Sequence, residues 1–214
     1  LQLANHHGLM IAGEAALSNW DAGMDMYIYG KLGNLIMTKE GINVLMTNLT
    51  GKVPLILQRL DYIRFNGEAA GYLHDLTLTG LFHTGAGMVK TDVMMSIDEQ
   101  SMSRTYSGSV ASADLDLGKL LNQEKKFGKV DFNVELKGFN YKNRYPESYI
   151  KGIISSFEYS QYQYENIMLD GVYKDGGFNG RLSMDDANGS VQIDGNFNVE
   201  IGRASCRERV YTIV

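Results

Sequence analysis

The stretch that most constrains this chain is residues 150–198, IKGIISSFEYSQYQYENIMLDGVYKDGGFNGRLSMDDANGSVQIDGNFN. Ile167, Leu169, Gly171 and Tyr173 take every second position, with Met168, Asp170, Val172 and Lys174 between them. Val191, Ile193, Gly195 and Phe197 repeat the pattern against Gln192, Asp194, Asn196 and Asn198. Successive side chains of a strand point to opposite faces, so each run has one apolar face and one mostly wetted face. The breaks Lys174-Asp175-Gly176-Gly177 and Asp185-Asp186-Ala187-Asn188-Gly189 hold residues that reach left-handed backbone angles at little cost. The pattern specifies a ladder of antiparallel hairpins with one apolar side.

Composition agrees with this reading. The 214 residues include 24 glycines and only 2 prolines, which suits a turn-rich sheet whose ladders proline would interrupt. The net charge of −5 argues against a nucleic-acid partner, which calls for a basic stripe. No apolar run approaches the ~18–20 residues of a membrane helix. The chain opens on Leu1 and reads as an internal piece of a longer protein. Residues 200–210, EIGRASCRERV, break the alternation and resemble a translated sequencing adapter. Residues 1–199 are therefore read as one repetitive β segment, and 200–214 as a non-native tail. The one cysteine, Cys206, goes with the tail, which leaves residues 1–199 without a thiol for a disulfide, a zinc site or a nucleophile.

Taken in order, 8–18 and 24–32 read as strands around a turn at Asn19 to Gly23. Trp20 there is read as capping the end of a core, in preference to anchoring a partner or a membrane interface. The period changes at Thr38 to Gly51, where Ile42, Leu45, Met46 and Leu49 fall at helical spacing. Thr38 is a candidate N-cap, Glu40 lies in the first turn, and Gly51 stands beyond the end. That helix could cover one face of the sheet. Its polar face lacks the Lys/Arg enrichment of a membrane-surface helix. From Leu60 strands resume, and the series Phe65-Asn66-Gly67, Asp75 to Gly80 and Ser96 to Glu99 returns as Ile150-Lys151-Gly152, Asn166 to Gly171 and Ser183 to Asp186. Ordered repetition of this kind indicates an elongated β structure. Leu117, Leu120 and Leu121 share one helical turn, with Asp116 placed to cap it. Val130, Phe132, Val134 and Leu136 then alternate with Asp131, Asn133, Glu135 and Lys137.

Motifs for chemistry are weak. Asp114 and Asp116 would share a strand face as acid/base carboxylates do, but a solvated face and a helix cap account for them. His6-His7 lack further ligands nearby, and His74 and His83 are isolated. Asp186-Ala187-Asn188-Gly189 lacks the remaining positions of a calcium loop. Gly85-Ala86-Gly87 lacks the strand-to-helix setting of a phosphate loop, and no nucleophile elbow is present. The reading is of a non-enzyme that needs no cofactor or metal.

The phrases DLDLGKLL (114–121), FNGEAAGYLHDLTLTG (65–80) and YENIMLDGVYKDGGFNGRLSMDD (164–186), set among glycine-punctuated strands, resemble the TamB branch of the AsmA-like envelope proteins. The likeness is closest to forms from Bacteroides-type bacteria and covers residues 1–199. It implies a periplasmic segment of a long protein anchored in the inner membrane, carrying phospholipid acyl chains along an apolar groove toward the outer membrane. It also implies an outer-membrane barrel partner of the TamA/BamA type, contacted through regions outside this chain. The expected fold is mainly β: an elongated, curved antiparallel sheet, gutter-like or taco-like, with helices only near 39–50 and 116–122. The expected groove lining is Leu76, Leu78, Val130, Phe132, Val134, Leu136, Ile167, Leu169, Tyr173, Val191, Ile193 and Phe197. The competing reading is a β-solenoid surface adhesin or polysaccharide-binding or polysaccharide-cleaving protein, whose coils would repeat every ~20 residues and seal the apolar face inside.

Overall fold

A computed structural model describes residues 2–5, 8–19, 25–50, 53–98, 100–101, 103–140, 147–175, 177–187, 189–200 and 203–212. The chain is mainly β. Its strands are β1 (Gln2–Asn5), β2 (Leu9–Ser18), β3 (Tyr27–Thr38), β4 (Tyr62–Tyr72), β5 (Asp75–Thr84), β6 (Gly87–Ile97), β7 (Arg104–Ala113) and the two-residue β8 (Leu115–Asp116). They continue with β9 (Phe127–Asn140), β10 (Glu147–Tyr159), β11 (Tyr162–Lys174), β12 (Gly177–Asp186), β13 (Gly189–Glu200) and β14 (Arg203–Thr212). Every strand pairs antiparallel with its neighbour in sequence, except that β7 passes to β9 and β8 pairs only with the end of β9. The result is one wide, open meander. A parallel β-helix is not the architecture.

Cross-strand partners share a face, so the registers define rows that run across the sheet. One row reads Leu32, Gly67, Gly80, Thr91, Val110, Val134, Gly152, Leu169, Leu182 and Ile193. Its neighbour toward the far strand ends reads Gly30, Ala69, Leu78, Val93, Gly108, Leu136, Ile150, Gly171, Gly180 and Gly195. Both lie on one apolar face. Where strict alternation would turn a large residue outward, a register shift restores it. Shifts between Leu32 and Leu35, and between Ile154 and Ser156, keep Leu35 opposite Phe65 and Phe157 opposite Val130.

The opposite, polar face carries a charge ladder. Glu14, Lys31, Glu68, Thr79, Asp92, Ser109, Glu135, Lys151, Asp170, Arg181 and Asp194 are successive cross-strand partners. Lys151 lies 3.5 Å from Asp170, Arg181 lies 3.1 Å from Asp194, and Thr79 donates to Asp92 at 3.0 Å. The Tyr149 hydroxyl and then Lys151 hold the Asp170 carboxyl below its ordinary range. A one-residue slip would move these charges to the apolar face, so the ladder keys the register as well as stabilising it.

Both helical insertions leave the same end of the sheet. α1 (Lys39–Thr50) and α2 (Leu55–Gln58) join β3 to β4, while α3 (Leu117–Leu121) lies between β8 and β9. In α1, Ile42 is 1% exposed and Met46 packs beside the same core, as their spacing predicts. Leu45 and Leu49 side chains, Gly51 and Trp20 lie outside the described residues. Thr38 does precede the helix, but its hydroxyl donates to the Glu40 carboxylate at 2.6 Å, the main reason that carboxyl titrates below its usual range. Asp116 caps α3 as expected, accepting from the Lys119 amide at 2.9 Å, and Asn122 ends it in the left-handed conformation. The short α2 was not expected: four residues are too few to show a helical period, and Leu55 and Ile56 face solvent.

Ile42, Leu60, Met37, Ile63, Ala86, Leu115 and Val130 form the sealed core under these helices. Each fully buried aliphatic side chain there contributes about 1.5–3 kcal/mol. The two insertions are latched together, because the Arg59 guanidinium donates to the Leu120 carbonyl and Lys119 Nζ meets Asp61 at 2.6 Å. Arg203–Thr212, set apart in the sequence as a tail, pairs with β13 as β14. A free strand edge offers unpaired backbone groups to any extended chain, so such pairing needs no matching side-chain pattern.

Two measurements check this account. Lys151→Glu should lower Tm at low salt by placing three carboxylates side by side. The loss should shrink in high salt, and adding Asp170→Lys should reverse it. The hydrogen bond from Lys119 lowers the Asp61 pKa. The latch should therefore hold above the ordinary aspartate value of ~3.9 and loosen as pH falls through the lower folded value. Hydrogen exchange in α3 should accelerate in acid, and Asp61→Asn should show that acceleration already at neutral pH.

Candidate functional site

The site is the apolar face itself. Phe132, Val134, Leu136, Ile167, Leu169 and Ile193 all lie on it, as expected, while Glu135 and Asp194 lie on the polar face. Leu76, Leu78, Tyr173 and Val191 share the apolar face by register. Val130 does too, but at 4% exposure it belongs to the sealed core beside Leu115. Phe197 pairs with Phe178, which places it at an apolar-face position, and its side chain lies outside the described residues. Among the described residues, the buried hydrophobic side chains lie in the helical half of the sheet or in the segments that cover it. Toward the other end the same face is only half-buried, and Met95 is 39% exposed. The helices seal one end and leave the other open.

Glycines explain how this face holds together without a second sheet. A Cβ at Gly67 would lie 2.6 Å from Gly80 Cα and 2.7 Å from the Phe65 ring. A Cβ at Gly138 would meet the Tyr106 ring at 2.6 Å, and one at Gly171 would meet the Phe178 ring at 2.7 Å. Each of these rings therefore lies down over glycine, Phe65 over Gly67 of its own strand and Gly80 of the next, Tyr106 and Phe178 over a neighbouring strand's, and buries its own flank on backbone. Phe65 and Phe82 also pack with ring centroids 4.5 Å apart. At the helical end of β9 to β11, Phe127, Phe157, Tyr159, Tyr162 and Tyr164 extend the apolar face as an aromatic cluster. Gly108, at φ +144°, holds a backbone conformation that other residues rarely adopt.

Polar groups on this face are mostly tied to backbone or to each other. Ser112 donates to the Val130 carbonyl and accepts from the Phe132 amide. Tyr106 and Ser148 share a hydroxyl–hydroxyl hydrogen bond. Thr91 Oγ1 is buried without a partner in the middle of the apolar row. Phe65, Phe82, Met95, Tyr106 and Val110 also belong to the lining. They were missed because their strands are rich in Gly, Ser and Thr, and only the pairing to Leu136 and Val134 reveals the face.

Residues weighed for chemistry have other surroundings. Asp114 pairs with Lys129 at 2.9 Å, and Asp116 caps α3. His74 stacks on Tyr72 and lies 3.6 Å from Asp25, while His83 sits on the polar face opposite Arg64 and Met88. His6-His7 lie outside the described residues. Among the described residues no cluster of three metal-ligating side chains occurs. Gly85-Ala86-Gly87 is the β5–β6 turn, stapled by Thr84. Shallow depressions do occur on the polar face, one of ≈ 510 Å³ among Met94, Phe139, Lys137, Tyr149 and Val172. They lie between exposed side chains and touch no buried charge.

No protein-family model, curated protein or solved structure matches this chain. The functional reading therefore rests on the geometry and on the resemblance drawn from residues 65–80, 114–121 and 164–186.

The glycine account is testable. Gly67→Ala should cost about 1–3 kcal/mol in urea denaturation, because backbone and the Phe65 ring must move. Gly30→Ala, where a Cβ would meet nothing closer than 4.0 Å, should be nearly neutral.

Proposed function

We propose that this chain is a structural, lipid-conducting segment of a TamB-type envelope protein, shielding phospholipid acyl chains as they cross the periplasm. The anchor in the inner membrane and the outer-membrane barrel partner of the TamA/BamA type belong to regions outside these residues. The observation that carries the reading is the continuous row of aliphatic residues and glycines from Leu32 to Ile193, which Thr91 alone interrupts with a polar side chain and which holds no charged residue. A two-chain lipid with roughly 30 methylenes would lose on the order of 20–25 kcal/mol of burial in water. A continuous apolar lining replaces most of that burial at each step and requires no bond chemistry. From β2 to β13, strands ~4.8 Å apart give a track of roughly 50 Å.

A charge in the lining should act as a block, since a passing chain would leave it desolvated and unpaired. Leu169→Lys or Phe132→Glu in the full-length protein should abolish lipid movement while leaving the sheet folded, and Glu135→Lys should be nearly silent. A photo-crosslinker at Leu169 or Phe132 should capture phospholipid in cells, and one at Glu135 should not. Equal capture from all three positions, or full transport by the charged variants, would sink the proposal.

A further inference from the structure

We infer that Arg104 is a headgroup site, binding the phosphate of a phospholipid whose acyl chains lie on the apolar face with their ends toward the helices. This rests on the acyl-chain reading above and adds an orientation and a recognition residue to it. By register, two charged side chains stand on the apolar face of β2 to β13 among the described residues, and they stand at opposite ends. Asp186, at the helical end, accepts a hydrogen bond from the Tyr162 hydroxyl at 3.0 Å. Arg104 begins β7 at the open end, as the cross-strand partner of Ile97 and Asn140. It is exposed, and no carboxylate pairs with it among the described residues.

Its surroundings are those of an amphiphile's boundary. Tyr106, two residues on, shares its face and hydrogen-bonds Ser148, while Ile97, Met95 and Leu76 supply adjoining apolar surface. A guanidinium presents a planar fork of donors that matches two phosphate oxygens and stays charged at any physiological pH. The other end cannot take a headgroup, because Ile42, Leu60 and Val130 seal it and a charged group there would be desolvated without a partner. Length fits as well. From Asn140, the partner of Arg104, to Phe132 the strand advances eight residues, roughly 27 Å at ~3.4 Å each, which leaves room for the ~15 Å of one leaflet of a 30 Å hydrocarbon core. A phosphate at Arg104 therefore places acyl ends near Leu136, well short of the sealed core.

The test uses the purified chain with two probes of identical tails, dioctanoyl phosphatidate and dioctanoylglycerol, competed against a fluorescent fatty acid. The chain should bind the phosphatidate about tenfold more tightly. Arg104→Gln should remove most of that preference without weakening dioctanoylglycerol. Arg104→Lys should keep part of it, a point charge replacing the fork. Asp186→Asn should leave it unchanged. Equal binding of the two probes to the unaltered chain, or a preference that survives Arg104→Gln, overturns the inference and leaves the acyl-chain reading standing. Failure of both probes to bind overturns both.

Discussion

Everything in this sheet depends on register. The side-chain period of a strand is two, so a slip of one residue would carry a whole apolar run into water and its charges onto the apolar face. Hairpin turns alone hold neighbouring strands together without choosing between such alignments when the loop can absorb a residue. The alternating charges from Glu14 to Asp194 make the choice on one face, and the large aliphatic and aromatic residues make it on the other. The bulges near Leu32 and Ile154 belong to the same device, since each re-aims a strand where its sequence departs from strict alternation.

Correct register would still leave a problem, because a single-layer sheet with one apolar face has nothing to pack against. Part of the answer is the helical cover at one end. The rest is glycine. Where Phe65 overlies Gly67 and Gly80, and Tyr106 overlies Gly138, the ring gains contact from backbone that a second layer would otherwise have to supply. The face is thereby half-buried by its own side chains and still free to receive something thin. Glycine weakens a strand in isolation. Here its cost is offset by the ring that lies on it, which also explains why so glycine-rich a chain can hold strands of 10 to 14 residues.

Most of this was legible in the residues. Period-two runs such as Val130 to Leu136 and Ile167 to Tyr173 fix both strand and face, and Ile42 with Met46 and Asp116 with Lys119 mark the helices, because each pattern acts through near neighbours. What could not be read depends on contacts between distant residues. Phe157 lies on the apolar face only because a bulge shifts it, and Arg104 shares that face only because Tyr106 and Gly108 pair with Gly138 and Leu136. α2 escaped notice since Leu55 to Gln58 make a single turn, held by Leu57 in the core and by the chain leaving Pro54. The sealed state of Val130 likewise follows from α3 folding over it, an event its own alternation does not encode.

The two ends of the face are chemically unlike, and that asymmetry has a cause in connectivity. At the helical end, β3 reaches β4, and β7 reaches β9, through segments long enough to fold back over the sheet. At the other end, β4 reaches β5 through two residues, which can only turn. Among the described residues the helical insertions leave one end, and it is that end they cover. The Lys119–Asp61 pair and the Arg59–Leu120 contact then join two covers separated by the four strands β4 to β7 into one. A surface built in this way distinguishes its two margins for any ligand with a polar head and an apolar tail. The sealed margin excludes the head by desolvation, while the open margin offers hydroxyls and the Arg104 guanidinium, which pairs with no carboxylate among the described residues.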